Sequence, residues 1–149
     1  MTPETAFSLA NLVVLPQWVL MVVAPRWRVT QVLVQWLPIP MVLAVFYIYY
    51  LFNVTPTNGR GFDVQAFSTL AGVQSLFTGA KEAVLAGWIH YLAFDLVAGS
   101  YILRDGQART IHHGWLIPGM LLCFMLGPSG LLVYGLVRLF LRNRPQTKF

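Results

Sequence analysis

From Glu82 to Leu103 the chain reads EAVLAGWIHYLAFDLVAGSYIL, and from Ala83 onward its one formally ionised side chain is Asp95. A stretch of this length crosses a hydrocarbon core of about 30 Å. Because a charge near the centre of that core costs about 3 kcal/mol or more, the carboxyl is expected to face other helices or a wet cavity. Held there as the neutral acid, it is a candidate proton donor. Helical spacing sets Trp88, Tyr91 and Asp95 (i, i+3, i+7) on one face, with Gly87, His90 and Phe94 flanking it. A carboxyl, a phenol and an imidazole thus stand among aromatic rings, the parts needed to give and take protons in an apolar site. The structural alternatives are an Asp95 that hydrogen-bonds a neighbouring helix and a His90 that is bonded within the core.

Along the chain, four apolar segments are expected to form membrane helices, over about residues 3–24, 30–52, 82–103 and 115–141. Thr2-Pro3-Glu4 reads as an N-cap, a proline at the first helical position and an acid in the first turn. Helix 1 carries Asn11, Pro16 and Gln17, with Pro16 placed to loosen or kink it, and Pro25-Arg26-Trp27-Arg28 closes it with interfacial residues. Helix 2 holds Pro38 and Pro40, whose lost backbone bonds must be met by neighbours or water, and ends in Tyr47, Tyr49 and Tyr50. After the turn chemistry of residues 53–62, Asp63 can cap a short amphipathic helix over about 64–77. Its Phe67, Leu70, Ala71, Gln74 and Phe77 suit a surface anchor or a lid. Arg104 to Arg109 reads as a polar turn, His112-His113-Gly114 leads into helix 4, and Gly127-Pro128-Ser129-Gly130 is expected to kink it at its middle.

The expected fold is therefore all-α: an integral membrane four-helix bundle forming a single transmembrane domain over 1–149, with a short interfacial helix between helices 2 and 3. Composition agrees, since 57% of the 149 residues are hydrophobic, 10% are charged and the mean hydropathy is +0.65, against about 25% charged in soluble domains. The first apolar segment lacks a basic n-region and is expected to stay in the mature protein as a span. Six cationic residues on the termini side (Arg60, Lys81, Arg138, Arg142, Arg144, Lys148) face four opposite (Arg26, Arg28, Arg104, Arg109), which favours cytoplasmic termini. The net charge of +5 in short flanks suits lipid headgroups, and no nucleic-acid partner is expected. The oligomeric state is not legible.

At about 1.5 Å per residue, Asn11 falls level with His90 and Gln17 level with Asp95, giving an upper layer with Asn11, Trp88, His90 and Tyr91 and a lower one with Gln17 and Asp95. His90 and Asp95 are about 140° apart around their helix, too far for direct pairing. Two-histidine haem ligation fails on distance, since His112 and His113 belong about 20 Å from His90 along the membrane normal. His112-His113 without a cysteine or carboxylate pair is a weak metal signal, and the lone Cys123 reads as a packed hydrophobe. No metal and no cofactor is expected. GxSxG, Walker, GxGxxG and HExxH signatures are absent.

Leu12 to Pro16, Phe67 to Leu70, the run Gly87-Trp-Ile-His-Tyr-Leu-Ala-Phe-Asp-Leu96 and Gly127 to Leu132 together carry a family likeness. Over nearly its whole length the chain resembles the abscisic acid-deficient-four-like membrane proteins, whose plant members are required to make neoxanthin from violaxanthin. The resemblance singles out Trp88, His90, Tyr91, Phe94 and Asp95, with Asn11, Pro16, Gly127 and Pro128, and it implies a carotenoid or other isoprenoid lipid as partner. Opening a 5,6-epoxide to a hydroxy-allene is redox-neutral: an acid protonates the epoxide oxygen while a base removes a proton from the adjacent polyene carbon. That reaction would use Asp95 as general acid and His90 or Tyr91 as proton acceptor or relay. Trp88 and Phe94 would pack the polyene, with Asn11 and Gln17 as polar substrate contacts. The rival reading is a non-catalytic module that binds an isoprenoid, quinone or lipid, or a structural membrane subunit.

Overall fold

A computed structural model describes residues 2–53, 64–79 and 81–142, and these are helical, with no strand among them. The α-helices are α1 (Pro3–Val23), α2 (Arg28–Trp36), α3 (Pro38–Asn53), α4 (Leu70–Gly79), α5 (Lys81–Ala108), α6 (Ile117–Leu126) and α7 (Pro128–Arg142). Short 3-10 turns cover Val64–Ser68 and His113–Trp115. Two helices, α1 and α5, are long and apolar enough to cross a membrane, and a third crossing results if α2 and α3, bent by 40° at their junction, count as one. Arg60, Asp63, Arg144 and Lys148, used in reading the sequence, lie outside the described residues.

Helix starts and breaks follow local chemistry. Thr2 Oγ1 accepts the Thr5 N–H at 3.3 Å, and Pro3 occupies the first helical position, where its missing N–H costs nothing. α1 then continues as one helix through Pro16. Where one helix over 30–52 is expected, α2 stops at Leu37, held in the left-handed region (φ 50°, ψ 42°) with its N–H on the Leu33 carbonyl. Pro38 disfavours a helical residue before it, and it opens α3. Pro38 and Pro40 both fall in the first turn of the new helix, whose N–H groups have no intrahelical acceptor, so no backbone bond is lost there.

The chain divides into two compact units, Met1–Val14 with Pro38–Ala93, and Leu15–Leu37 with Phe94–Phe149. In the first, α1 and α5 run in the same direction: Lys81 pairs with Glu4 at 2.7 Å, and seven residues further along both helices Trp88 meets Asn11 at 3.3 Å. Its core is made by Ala6, Ala10 and Val14 of α1, Leu43 and Tyr50 of α3, and Leu85, Ala86 and Ile89 of α5. In the second, Val34, Leu96, Ile102, Leu103, Leu116, Met120 and Tyr134 are buried.

The C-terminal segment departs from the single span expected over 115–141. Gly127 turns the chain at φ 55°, ψ −112°, a conformation that favours glycine, and Pro128 opens α7. α6 and α7 then fold back on each other. A Cβ built on Gly119 would lie 3.3 Å from the Gly130 carbonyl and 3.4 Å from Tyr134 Cβ. Tyr134 donates to Asp105 Oδ2 at 2.5 Å and Arg138 approaches the same oxygen at 3.5 Å, so α7 ends level with the close of α5. Arg138 therefore belongs with Arg109, not with the opposite side as the sequence suggests. α5 is also longer than expected: Arg104 and Asp105 are helical, and the helix ends where Thr110 takes φ 56° and the Ile111 N–H caps the Gly106 carbonyl at 2.9 Å.

The hairpin has a direct test. In Gly130→Ala the new methyl meets the Gly119 carbonyl and the Cys123 backbone nitrogen, so the two helices must separate. Thermal unfolding in detergent should show a loss of about 1–3 kcal/mol. Gly135→Ala meets nothing within 4 Å and should be neutral, or stabilising by up to about 1 kcal/mol.

Candidate functional site

In the first unit, Asn11 is fixed at both ends of its amide. Its Nδ2 donates to the Phe7 carbonyl at 2.7 Å one turn back, and its Oδ1 accepts the Trp88 indole N–H at 3.3 Å. Trp88 also stacks on Tyr91 (centroids 5.5 Å, 30°) and leans on Phe7 (5.6 Å, 36°). Two aromatic rings thus contact a third, Trp88, whose indole the Asn11 amide fixes. Phe7 and Trp88 line a cavity of about 320 Å³ with Pro3, Glu4, Lys81 and Val84.

His90 faces another neighbour. Its ring lies 5.4 Å from that of Tyr47 on α3, and both line a cavity of about 280 Å³ roofed by Phe67 of the 3-10 turn and by Leu76 and Phe77 of α4. Gly87 forms part of its wall, and a Cβ there would come within 2.5 Å of the Phe77 ring. The lining is apolar except for one imidazole and one phenol, which suits a hydrocarbon ring carrying a single polar atom.

Gln17 and Asp95 belong to the second unit. Gln17 is fully buried and donates from Nε2 to Ser100 Oγ at 3.1 Å; the serine hydroxyl in turn approaches Met21 Sδ at 3.8 Å. Asp95 is 8% exposed and lines neither cavity above. Phe94 is exposed. The structure therefore joins Asn11, Trp88 and Tyr91, gives His90 a cavity with Tyr47, and gives Gln17 a partner, Ser100, that the spacing did not nominate.

Reading the sequence missed two polar groupings. Asp105 Oδ2 accepts from Arg109 Nε at 2.8 Å and from Tyr134, while Arg138 donates to the Tyr101 hydroxyl at 3.0 Å. Gln31 and Gln107 join at 2.9 Å beside a cavity of about 860 Å³. The signal was present as two glutamines in largely apolar segments, each near the end of a helix. Among the described residues no three His, Cys, Asp or Glu side chains gather where they could hold a metal.

A profile of the family described as ABA DEFICIENT 4-like matches residues 5–134. The chain is also similar to Protein ABA DEFICIENT 4, chloroplastic, of Arabidopsis thaliana, at 26% identity over 147 residues, covering 95% of this chain. It spans less than two thirds, 64%, of that relative's length. No solved structure matches. With a match running through all but the chain's ends, this protein belongs to the ABA DEFICIENT 4-like family.

Proposed function

We propose that the protein binds, and acts on, a carotenoid or related isoprenoid within the membrane. The observation that supports this best is the cavity between α3, α4 and α5, apolar throughout apart from His90 and Tyr47. At about 280 Å³ it falls just under the roughly 300–1,000 Å³ of sites that enclose a whole small molecule, so it suits one end ring of a long ligand. The remainder of such a ligand would run along apolar helix faces, where exposed Val84 and Phe94 offer hydrocarbon contact. Trp88, with Asn11 fixing its indole, is assigned to packing the chain of the ligand, and Gln17 to a polar substrate contact.

The reaction proposed is the redox-neutral opening of an epoxide. Asp95 gives the proton to the epoxide oxygen, and His90 or Tyr91 takes one from the neighbouring polyene carbon, so electrons and atoms balance without a cofactor. All three residues come from α5. The rival, a module that binds an isoprenoid without turning it over, is favoured by one observation: Asp95 is buried and lines none of the cavities described.

We also propose that α1, α2 with α3, α5, and the α6–α7 hairpin are the four segments of a multi-pass membrane bundle. Arg26 follows the close of α1, Arg28 opens α2, Arg104 and Arg109 lie at the close of α5, and Arg138 lies near that of α7; under the positive-inside rule we propose that this end is cytoplasmic, which keeps the C-terminus there, as read from the sequence, but sets the N-terminus on the other side. A fluorescent-protein fusion at the C-terminus should glow, and a periplasmic-only reporter there should be silent; the reverse pattern rejects the orientation.

Two measurements test the site. Expressed in a carotenoid-producing host, Asp95→Asn and His90→Ala should each lower any epoxide-derived product by about 100-fold or more at equal protein level, read by pigment chromatography. Unchanged pigments in folded variants remove the catalytic assignment. Gly87→Leu should fill the cavity against Phe77 and abolish the polyene absorption of the purified protein, while Gly135→Leu, on an open face, should retain it.

A further inference from the structure

On α7, Leu132, Leu136 and Leu139 form one row (i, i+4, i+7), and Leu131, Gly135 and Arg138 form the row beside it. All four leucines are exposed, and a Cβ built on Gly135 would meet nothing within 4 Å. The glycine leaves a notch between Leu131 and Arg138, within a cavity of about 780 Å³ that Arg109, just past the close of α5, also lines. From Leu131 to Arg138 the helix rises about 10 Å. The groove is therefore apolar along its length and cationic at one end.

Both guanidiniums are anchored mainly through Nε. Arg109 Nε donates to Asp105 Oδ2 at 2.8 Å, Arg138 Nε lies 3.5 Å from the same oxygen, and Arg138 Nη1 donates to the Tyr101 hydroxyl at 3.0 Å. Among the described residues, these bonds leave uncommitted the N–H groups on both terminal nitrogens of Arg109, the pair on Arg138 Nη2 and the second on its Nη1. Asp105 balances one of the two positive charges, and no carboxylate lines the cavity itself. The charge of one guanidinium is left over, on two side chains already held in position.

Any hydrocarbon tail can cover leucines in a bilayer, so it is the arginines that select the occupant. A zwitterionic head would bring its own ammonium group beside them, whereas an anionic head neutralises the charge left over. The two oxygens of a carboxylate match one guanidinium fork, while a phosphate presents oxygens on more than one side and can be shared between two. We propose that this groove binds an anionic phospholipid, its phosphate between Arg109 and Arg138 and one acyl chain along the leucine rows over Gly135. The site shares no residue with the cavity under α4 and does not depend on the function proposed for that one.

The test uses the full chain purified in detergent, titrated with dioleoyl phosphatidylglycerol, dioleoyl phosphatidylcholine or oleate, with bound lipid counted by native mass spectrometry. Phosphatidylglycerol should bind about tenfold tighter or more than the other two, and equimolar inorganic phosphate, which lacks a tail, should not displace it. Arg138→Gln and Arg109→Gln should each erase most of that preference. Gly135→Leu, which fills the notch without touching a neighbour, should weaken phosphatidylglycerol binding about tenfold at an unchanged unfolding temperature. Equal binding of the two phospholipids, tightest binding of oleate, or displacement by phosphate alone would overturn the proposal. So would a preference that survives both arginine substitutions, an affinity unmoved by Gly135→Leu, or a dimer that Gly135→Leu splits, which would give the face to a second copy of the chain.

Discussion

Backbone touching backbone at Gly119 and Gly130 is the contact that the second unit is built on. With no Cβ between them the helices α6 and α7 meet where Gly130 lies against the Gly119 carbonyl, and the chain reverses within a few residues of Gly127. At about 1.5 Å per residue the two helices are roughly 15 and 22 Å long, each short of the roughly 30 Å needed to cross a bilayer alone. Folding back is what brings Tyr134 and Arg138 to Asp105, and so what adds a phenol and a second guanidinium to the local Asp105–Arg109 pair near the end of α5. The partly exposed ion pairs contribute about 0–1 kcal/mol each. The phenol matters more: Tyr134 is 2% exposed, and its hydroxyl would be costly to leave unbonded there.

One device solves two breaks in the chain. A residue at positive φ ends a helix, and a proline at the first position of the next restarts it: Leu37-Pro38 between α2 and α3, Gly127-Pro128 between α6 and α7. Glycine accepts that backbone freely, whereas for leucine it costs about 1–2 kcal/mol. The outcomes differ because of the residues just beyond each proline. Gly130 lets α7 lie against α6, whereas no such glycine comes after Pro38.

Legibility in the sequence obeyed the same physics. α1 and α5 were readable because length and hydropathy decide them, and the Thr2-Pro3 start because capping is local. The hairpin was not: Gly-Pro-x-Gly specifies a break, and only the long-range meeting of Gly119 with Gly130 decides between a kink and a reversal. The extra turns of α5 were hidden because Arg104, Asp105 and Gln107 look like a polar loop until Tyr134, Arg138 and Gln31 supply their partners. Within the candidate site, the Asn11, Trp88 and Tyr91 neighbours could be read from helix register, but the Tyr47 and Phe77 walls around His90 come from α3 and α4, whose packing no spacing on α5 encodes.

Binding and chemistry make different demands on α5. A proton donor must come within about 3 Å of the atom it serves, directly or through one water, and Asp95 is buried in the structure. His90, by contrast, already borders an apolar cavity together with a phenol. An end ring could enter beneath α4 without any rearrangement at Asp95, whereas protonation of that ring requires the carboxyl to gain access to it. Under the proposed function, ligand capture is therefore the earlier requirement and the less exacting one, and catalysis would need in addition a motion that uncovers the acid.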